Sequence, residues 1–305
     1  MSAPRVVVVG SSNTDMVIKS KNLPRVGETV IGGEFFMAAG GKGANQAVAA
    51  SRAGAHTTFV ARLGDDMFGR KALENFQKEA INTDFLVIDR EAPSGIALIF
   101  IDAQGENIIS VAPGANARLS PEDVERAEEA ISRADVTLME LEIALETVER
   151  AVEMASAAAG KVILNPAPGR KLPSSLLARI DFLTPNETEA ALLTELTVDS
   201  NKAAETAGEK LRGLGVGAVI ITRGRKGALI VADSVTHIPA KKVKAVDTVG
   251  AGDAFNGALA VAIAEGRELK EAVEFAAAAG ALACTRYGAQ PSMPSRKEID
   301  EIMRT

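Results

Sequence analysis

Short β-branched runs alternate with alanine-rich stretches of helical periodicity, and this alternation constrains the fold more than any other feature of the chain. The runs fall at residues 5–10, 57–61, 136–139, 161–165 and 218–222, and the helical stretches include 44–53, 146–159 and 202–211. A run of four valines ending in Gly10 suits a strand buried on both faces. Ser120-Pro121-Glu122-Asp123 opens a further helix, with a serine N-cap, proline at the first helical position and an acid three residues past the cap. Strands alternating with helices in this way predict an α/β fold, a parallel sheet flanked by helices on both faces.

Two stretches break the pattern. Residues 14–36 and 94–111 hold β-prone segments, including Ile96-Ala97-Leu98-Ile99-Phe100-Ile101, with no helix after them. Neither is long enough to fold alone. They read as strands of one small sheet made by two insertions; extra edge strands of the main sheet are the alternative. With 305 residues the chain has room for about two domains, or for one large α/β unit with such an appendage.

Composition narrows the functions. Hydrophobic residues make up 47% and charged residues 24%, the balance of a soluble globular protein with a large core. The net charge of −6 argues against a general polyanion-binding surface, so no nucleic-acid partner is expected and any phosphate site must be made locally. The single cysteine, Cys284, rules out an internal disulfide and a cysteine-based zinc cluster. His56 and His237 form no histidine metal motif. The apolar run near the N-terminus is too short for a signal-peptide core, and the nearly apolar stretch 275–284 is too short for a membrane span. A soluble protein of a reducing compartment, with no membrane partner, is expected.

Several motifs carry chemistry. Asp247-Thr248-Val249-Gly250-Ala251-Gly252-Asp253 leads into an apolar run that stops at Gly266, so a helix is expected to begin near Gly252. Small residues at Gly250, Ala251 and Gly252 let a phosphate approach N–H groups at the positive end of that helix. Asp253, in its first turn, is placed to take a proton from an attacking hydroxyl. Gly40-Gly41-Lys42-Gly43-Ala44-Asn45-Gln46 also opens a helix. It is not a Walker A loop, since Gly43 follows Lys42, and its glycines, cation and amide suit a polyhydroxylated ligand. Asn13-Thr14-Asp15 follows the first strand, at the end where open sheets bind ligands. Thr184-Pro185-Asn186-Glu187-Thr188-Glu189 supplies two carboxylates and an amide suited to magnesium and its waters, or a capping sequence. Thr222-Arg223-Gly224-Arg225-Lys226-Gly227 offers hydroxyl, backbone and cationic partners for nucleotide phosphates, or a solvated turn. Gly213 to Ala218 fits a dinucleotide pattern but precedes a strand, which is the wrong context.

The order and spacing of these motifs resemble the ribokinase family of carbohydrate kinases, over the whole chain from Asn13 to the Gly288-Ala289-Gln290-Pro291-Ser292 segment. The supporting stretches are GGKGANQAVAA at 40–50, ALIFI at 97–101, ILNPAPGR at 163–170, TPNETEA at 184–190, DTVGAGDAF at 247–255 and TRYGAQPS at 285–292. The resemblance implies one Rossmann-like α/β kinase domain over residues 1–305, with a small β-sheet lid formed by insertions at approximately 14–40 and 94–112, and a cytoplasmic homodimer paired through the lid. It implies ATP-dependent phosphorylation of the 5-hydroxyl of D-ribose, or of another small acceptor such as fructose, 2-keto-3-deoxygluconate or adenosine. A non-catalytic sugar-binding regulator on the same scaffold is the other class.

The same resemblance implies roles. The sugar is held by Asn13, Asp15, Gly41, Lys42, Gly43, Asn45 and Glu142, with Asp253 as base and Gly250, Ala251 and Gly252 as the anion hole. ATP lies along Asn186, Thr222, Arg223, Gly224, Arg225, Lys226, Gly227 and Gly252, with Ala277 near adenine where some relatives place histidine or asparagine. Magnesium is organised through water by Glu189. A potassium ion sits at Asp247, Val249, Ala283, Arg286, Gly288 and Ser292, mostly on backbone carbonyls. Tyr287, the one tyrosine of the chain, falls inside that last set, and the resemblance gives its side chain no role.

Overall fold

The valines of the first run alternate between two cores, and this puts the first strand at the centre of the molecule. Val6 and Val8 face one layer of buried residues, and Val7 and Val9 face another. Fully burying each valine contributes roughly 1.5 kcal/mol or more. The computed structural model describes residues 3–104 and 106–304. Met1, Ser2 and Thr305, at the ends of the expected domain, and Gly105, in the expected second insertion, lie outside the described residues.

The strands are β1 (Arg5–Val9), β2 (Asn13–Lys19), β3 (Glu34–Gly40), β4 (His56–Gly64), β5 (Leu86–Asp89), β6 (Gly95–Ile101), β7 (Asn107–Ala112), β8 (Val136–Met139), β9 (Lys161–Leu164), β10 (Phe182–Leu183), β11 (Ala218–Thr222), β12 (Ala228–Val231) and β13 (Val235–Ile238). The helices are α1 (Lys42–Arg52), α2 (Met67–Lys78), α3 (Pro121–Glu125), α4 (Glu128–Ser132), α5 (Leu145–Ser156), α6 (Ser174–Leu177), α7 (Glu187–Thr194), α8 (Asn201–Gly213), α9 (Ala251–Ala264), α10 (Leu269–Ala283) and α11 (Arg296–Met303).

The main sheet runs β13-β12-β11-β10-β9-β8-β1-β4-β5. It is parallel from β5 to β11, with β12 and β13 added antiparallel at one edge. One core holds α1, α9 and α10 against the sheet, and the other holds α5 and α8. The expected doubly covered α/β sheet is what forms. The β-branched runs gave no sign of β5, β12 and β13, whereas the short strand expected ahead of Thr184 is β10. β10 is two residues long, and β12 and β13 form an edge hairpin with no helix between its strands. Ser120 makes the expected capping box with Asp123 at the start of α3.

The two stretches that broke the alternation join in a separate four-stranded sheet, ordered β3-β2-β6-β7, so they are not edge strands of the main sheet. β2 pairs antiparallel with β3 and parallel with β6, and β6 pairs antiparallel with β7. The small sheet departs from the main one at the exit of β1, because β2 begins at Asn13 and β3 returns through Gly40 into α1.

α1 and α9 cross in near-contact, and Gly257 makes this possible. A Cβ at residue 257 would lie 2.6 Å from the Gln46 carbonyl oxygen, 2.6 Å from Ala49 Cβ and 2.8 Å from the Ala50 nitrogen. Gly257 is one turn beyond Asp253, and Ala49 and Ala50 are one turn beyond Asn45 and Gln46, so the crossing fixes how those three polar residues meet. Gly257→Ala is expected to push the helices apart and to cost about 1–3 kcal/mol, read as a lowered urea midpoint at unchanged slope.

Candidate active site

At the exit of β1 the chain turns through residues 10–12 and lies directly over the start of α1. Gly41 sits there at φ 87°, and a Cβ on it would be 2.5 Å from the Asn13 nitrogen. The loop therefore closes only with glycine, which brings Lys42 and Asn45 beside Asn13 and Asp15. Asn13 is pinned by Asn116, whose Nδ2 donates to Asn13 Oδ1 at 2.8 Å.

Glu142, just past β8, gathers three of these elements. Its Oε2 accepts from Ser11 Oγ at 2.5 Å, from the Lys42 backbone N–H at 3.0 Å and from Asn13 Nδ2 at 3.5 Å. Beneath it Glu140 is fully buried and accepts from the Ser11 and Glu142 backbone N–H groups, each at 2.6 Å. Burial, reinforced by the neighbouring Glu142 charge, holds the Glu140 carboxyl well above its usual range.

Asp253 lies in the first turn of α9 and is 7% exposed. Its Oδ2 accepts from Asn45 Nδ2 at 2.8 Å and its Oδ1 from Gln46 Nε2 at 3.1 Å. Behind it, Gln46 Nε2 also reaches Asn165 Oδ1 at 3.1 Å, and Asn165 Nδ2 donates to the Thr184 carbonyl at 3.1 Å. Thr184 Oγ1 donates to Asn256 Oδ1 at 2.6 Å, and Asn256 Nδ2 returns to the Gly252 carbonyl at 2.8 Å. This chain of amides ties the ends of β9 and β10 to the first turn of α9. Burial raises the Asp253 carboxyl, and Lys42, Asn45 and Gln46 pull it back.

No side chain among the described residues caps α9, whose N-cap Gly250 is left-handed. The N–H groups of a helix's first turn have no internal partner, and the space where a Gly252 Cβ would stand is open to 4 Å. The Ala251 N–H is partly engaged, donating to the Thr248 carbonyl at 3.3 Å. Lys42 is the cation opposite. Burial acts to lower its ammonium, but Asp253, Glu142, Glu140 and Glu189 outweigh this and hold it above the ordinary lysine range. Asp15 completes the cluster, its carboxyl raised to about 6 by burial and then by Glu142 and Asp253. The Asn45 Oδ1 and Gln46 Oε1 acceptors are buried without a partner among the described residues. An unpartnered buried acceptor is costly, so these atoms await a donor.

The remaining predicted residues fall in two groups. Asn186 and Glu189 form a reciprocal capping box on α7, with both bonds at 2.8 Å, and the Glu189 carboxyl, raised by burial, feels the charges of Lys42 and Asp253. Thr222 abuts Asn186 through a bridge between the ends of β10 and β11. Arg223 is buried and turned inward, onto Glu187 at 3.0 Å and Asn201 Oδ1 at 2.5 Å, and Lys226 joins Glu187 at 3.1 Å. Arg225 is exposed beside Gly224 and Gly227 on the same turn. Ala277 lies half-buried on α10, one turn from Gly280, where an added Cβ would lie 3.1 Å from the Ala251 carbonyl oxygen.

The second group joins two loops. Asp247 accepts from the Val249 and Gly288 backbone N–H groups, each at 3.0 Å, binding the segment before α9 to the segment after α10. The Val249 and Gly288 carbonyls accept no hydrogen bond among the described residues, whereas the Ala283 carbonyl takes the Arg286 N–H at 3.3 Å. Arg286 holds Glu298 through its guanidinium, and Ser292 Oγ donates to the Ala289 carbonyl at 2.8 Å.

Sequence reasoning assigned no role to Gln46, Glu140, Asn165, Thr184 or Asn256. Gln46, Asn165 and Thr184 lie inside the motifs that carry the family resemblance, and Glu140 stands two residues before Glu142, so a polar residue next to each motif was the available signal.

A doubly wound sheet with a smaller sheet at its ligand end, and a buried acid at an uncapped helix start beside a lysine and a polar cleft, defines a small-molecule kinase. The chain belongs to the pfkB family of carbohydrate kinases, whose model matches residues 3–296. It is 40% identical over 299 residues to ribokinase of Haemophilus influenzae, covering 98% of each chain. It is 37% identical over 300 residues to deoxyribokinase of Salmonella typhi, again covering 98% of each. The solved structure of Arabidopsis thaliana ribokinase complexed with ribose and ATP superposes with a TM-score of 0.93 at 34% identity, covering 100% of each chain.

The raised Asp15 has a consequence for stability. Its proton is held more tightly folded than unfolded, so its contribution is complete below about pH 4 and is lost as pH rises through about 6. Asp15→Asn is therefore expected to stabilise the ligand-free protein at pH 7.5, by up to about 3 kcal/mol, and to leave it unchanged near pH 4. Melting temperatures of both proteins at the two pH values check this.

Proposed function

We propose that the chain transfers the γ-phosphoryl group of ATP to the 5-hydroxyl of D-ribose. The observation that carries this reading is the placement of Asp253, a buried carboxylate in the first turn of an uncapped helix, facing Lys42 and held by Asn45 and Gln46. The likeness to ribokinases over nearly the full chain names the substrate.

The geometry suggests the roles. Asp15 is positioned to accept from sugar hydroxyls, Glu142 has Oε1 open for another among the described residues, and the unpartnered Asn45 Oδ1 accepts a third. Asp253 takes the proton as the sugar hydroxyl attacks phosphorus; burial keeps this carboxyl basic and the two amides keep it aimed. Negative charge that develops on the transferring group falls on the N–H groups at Gly252 and Asp253 and on Lys42. The small sheet acts as a lid that excludes water from this step. The nucleotide lies along Asn186, the turn 222–227 and Gly252. Arg225 is the cation of that turn with an open side chain, because Arg223 and Lys226 are committed to Glu187.

Two metals fit residues of this chain. Glu189, a half-buried carboxylate near Lys42 and Asp253, would hold magnesium through water, and the ion would supply charge neutralisation on the phosphates. The open carbonyls on the joined loops 247–249 and 286–288 would hold potassium, which fixes the segment leading into α9.

The lid also supports a homodimer. Its exposed apolar side chains include Phe35, Met37, Leu98 and Ile108 on one face and Phe36, Ile109 and Val111 on the other. One main domain covers only one face of a sheet, and a second copy's lid is the partner for the rest. A cytoplasmic setting is proposed on the requirement for ATP. Light scattering after gel filtration is expected to give twice the chain mass, and Phe35→Asp with Ile108→Asp to give the single mass.

Release of ADP with magnesium-ATP is expected on D-ribose, with 2-deoxyribose, fructose, 2-keto-3-deoxygluconate and adenosine beside it. Asp253→Asn is expected to lose at least about 100-fold in turnover while ATP still binds by calorimetry. Near-normal turnover in that variant removes Asp253 as base, and turnover on another acceptor alone moves the substrate assignment.

A further inference from the structure

Tyr287 has no part in the phosphoryl transfer, yet it is where the lid meets the loops behind the anion hole. Its ring is 66% exposed, so burial does little to hold it. The Lys19 ammonium sits 4.7 Å from its centroid and 5.5 Å from the centroid of Phe36. Residues 15, 17 and 19 of β2 point to one side of the small sheet, and Phe36, paired with Val17, points to the same side. Asp15 marks that side as the one over the sugar cleft, because its carboxyl feels both Glu142 and Asp253. Lys19 and Phe36 thus reach down from the lid and grip a ring that belongs to the main domain. Lys19 forms no ion pair among the described residues, so this aromatic contact is what its charge faces.

The ring stands on a fixed base. Arg286 before it is ion-paired with Glu298 of α11, and the Gly288 N–H after it donates to Asp247 at 3.0 Å. On the lid side, Asn13 pairs with Gly40 where β2 and β3 leave the main domain. Lys19 lies about 13 Å along the strand from Asp15, at roughly 3.3 Å per residue. The lid is therefore attached at residue 13, latched at residue 19, and carries Asp15 between the two points.

We propose that Lys19 and Tyr287 are positioning residues that latch the lid shut over the sugar, the cation–π contact setting how long the sugar is held without entering the phosphoryl transfer. The proposal rests on the sugar-kinase reading for its consequence, although the latch itself exists in the free protein. A cation over an aromatic face in a partly open site supports a change of a few-fold to about tenfold in the closed fraction.

The chain has one tyrosine and no tryptophan, so its tyrosine emission reports Tyr287 alone. In the free protein, Lys19→Met is expected to raise the acrylamide quenching constant of that emission, by up to about 1.5-fold because the ring is already 66% exposed. Saturating ribose is expected to lower the constant in the wild type and to have less effect in Lys19→Met. In turnover, Lys19→Met and Tyr287→Leu should each raise KM for the sugar about fivefold with kcat within about twofold. Tyr287→Phe should restore the wild-type KM, and the double variant should be no worse than either single one. Unchanged quenching in Lys19→Met, an unaltered KM in both single variants, or additive losses in the double variant overturn the latch. If the wild type ignores ribose while Lys19→Met still unshields the ring, the substrate assignment falls and the latch stands.

Discussion

The near-contact of α1 and α9 is the constraint on which the site depends. Each helix begins at the ligand end of the sheet, and each brings its first-turn residues to the same point. Because Gly257 presents no side chain to Ala49 and Ala50, Asn45 and Gln46 come within hydrogen-bonding reach of Asp253. A wider crossing would leave a buried carboxylate with neither amide, and an unpaired buried charge costs far more than the helix packing gains. The polar chain from Gln46 through Asn165, Thr184 and Asn256 to Gly252 extends this one contact to the ends of two strands.

Like charges crowd the same cleft. Asp15, Glu140, Glu142, Glu189 and Asp253 surround one half-buried lysine, and burial lifts four of these carboxyls above their ordinary range. Such a cluster opposes folding, and its retention is what a site for a hydroxyl donor and a phosphate requires. The small sheet leaves the main domain at Asn13 and Gly40, and its Lys19 ammonium lies over the Tyr287 ring.

Much of this was legible in the residues. The valine run with its alternating partners announced a doubly covered sheet, and the two helix-free stretches announced the small sheet. The glycine loops before Lys42 and Asp253 marked two helix starts. Gln46 and Glu140 were marked only by standing in or beside a motif, because a glutamine in an alanine-rich helix and a glutamate in a strand exit are common in themselves. The inward turn of Arg223 was also hidden, since its partners Glu187 and Asn201 lie 36 and 22 residues away. Tyr287 gave no signal, because it lies in a loop and its partner, Lys19, is on the small sheet far away in sequence.

The sequence by itself determined the alternation of strands and helices, the places where helices start, and the residue types available for phosphate and polyol chemistry. These are local properties, set by side-chain periodicity and backbone freedom over a few residues. Which of those residues meet was decided by the tertiary structure alone. Asn45 and Asp253 are 208 positions apart, and only the crossing of two helices at a glycine puts an amide 2.8 Å from the acid it holds.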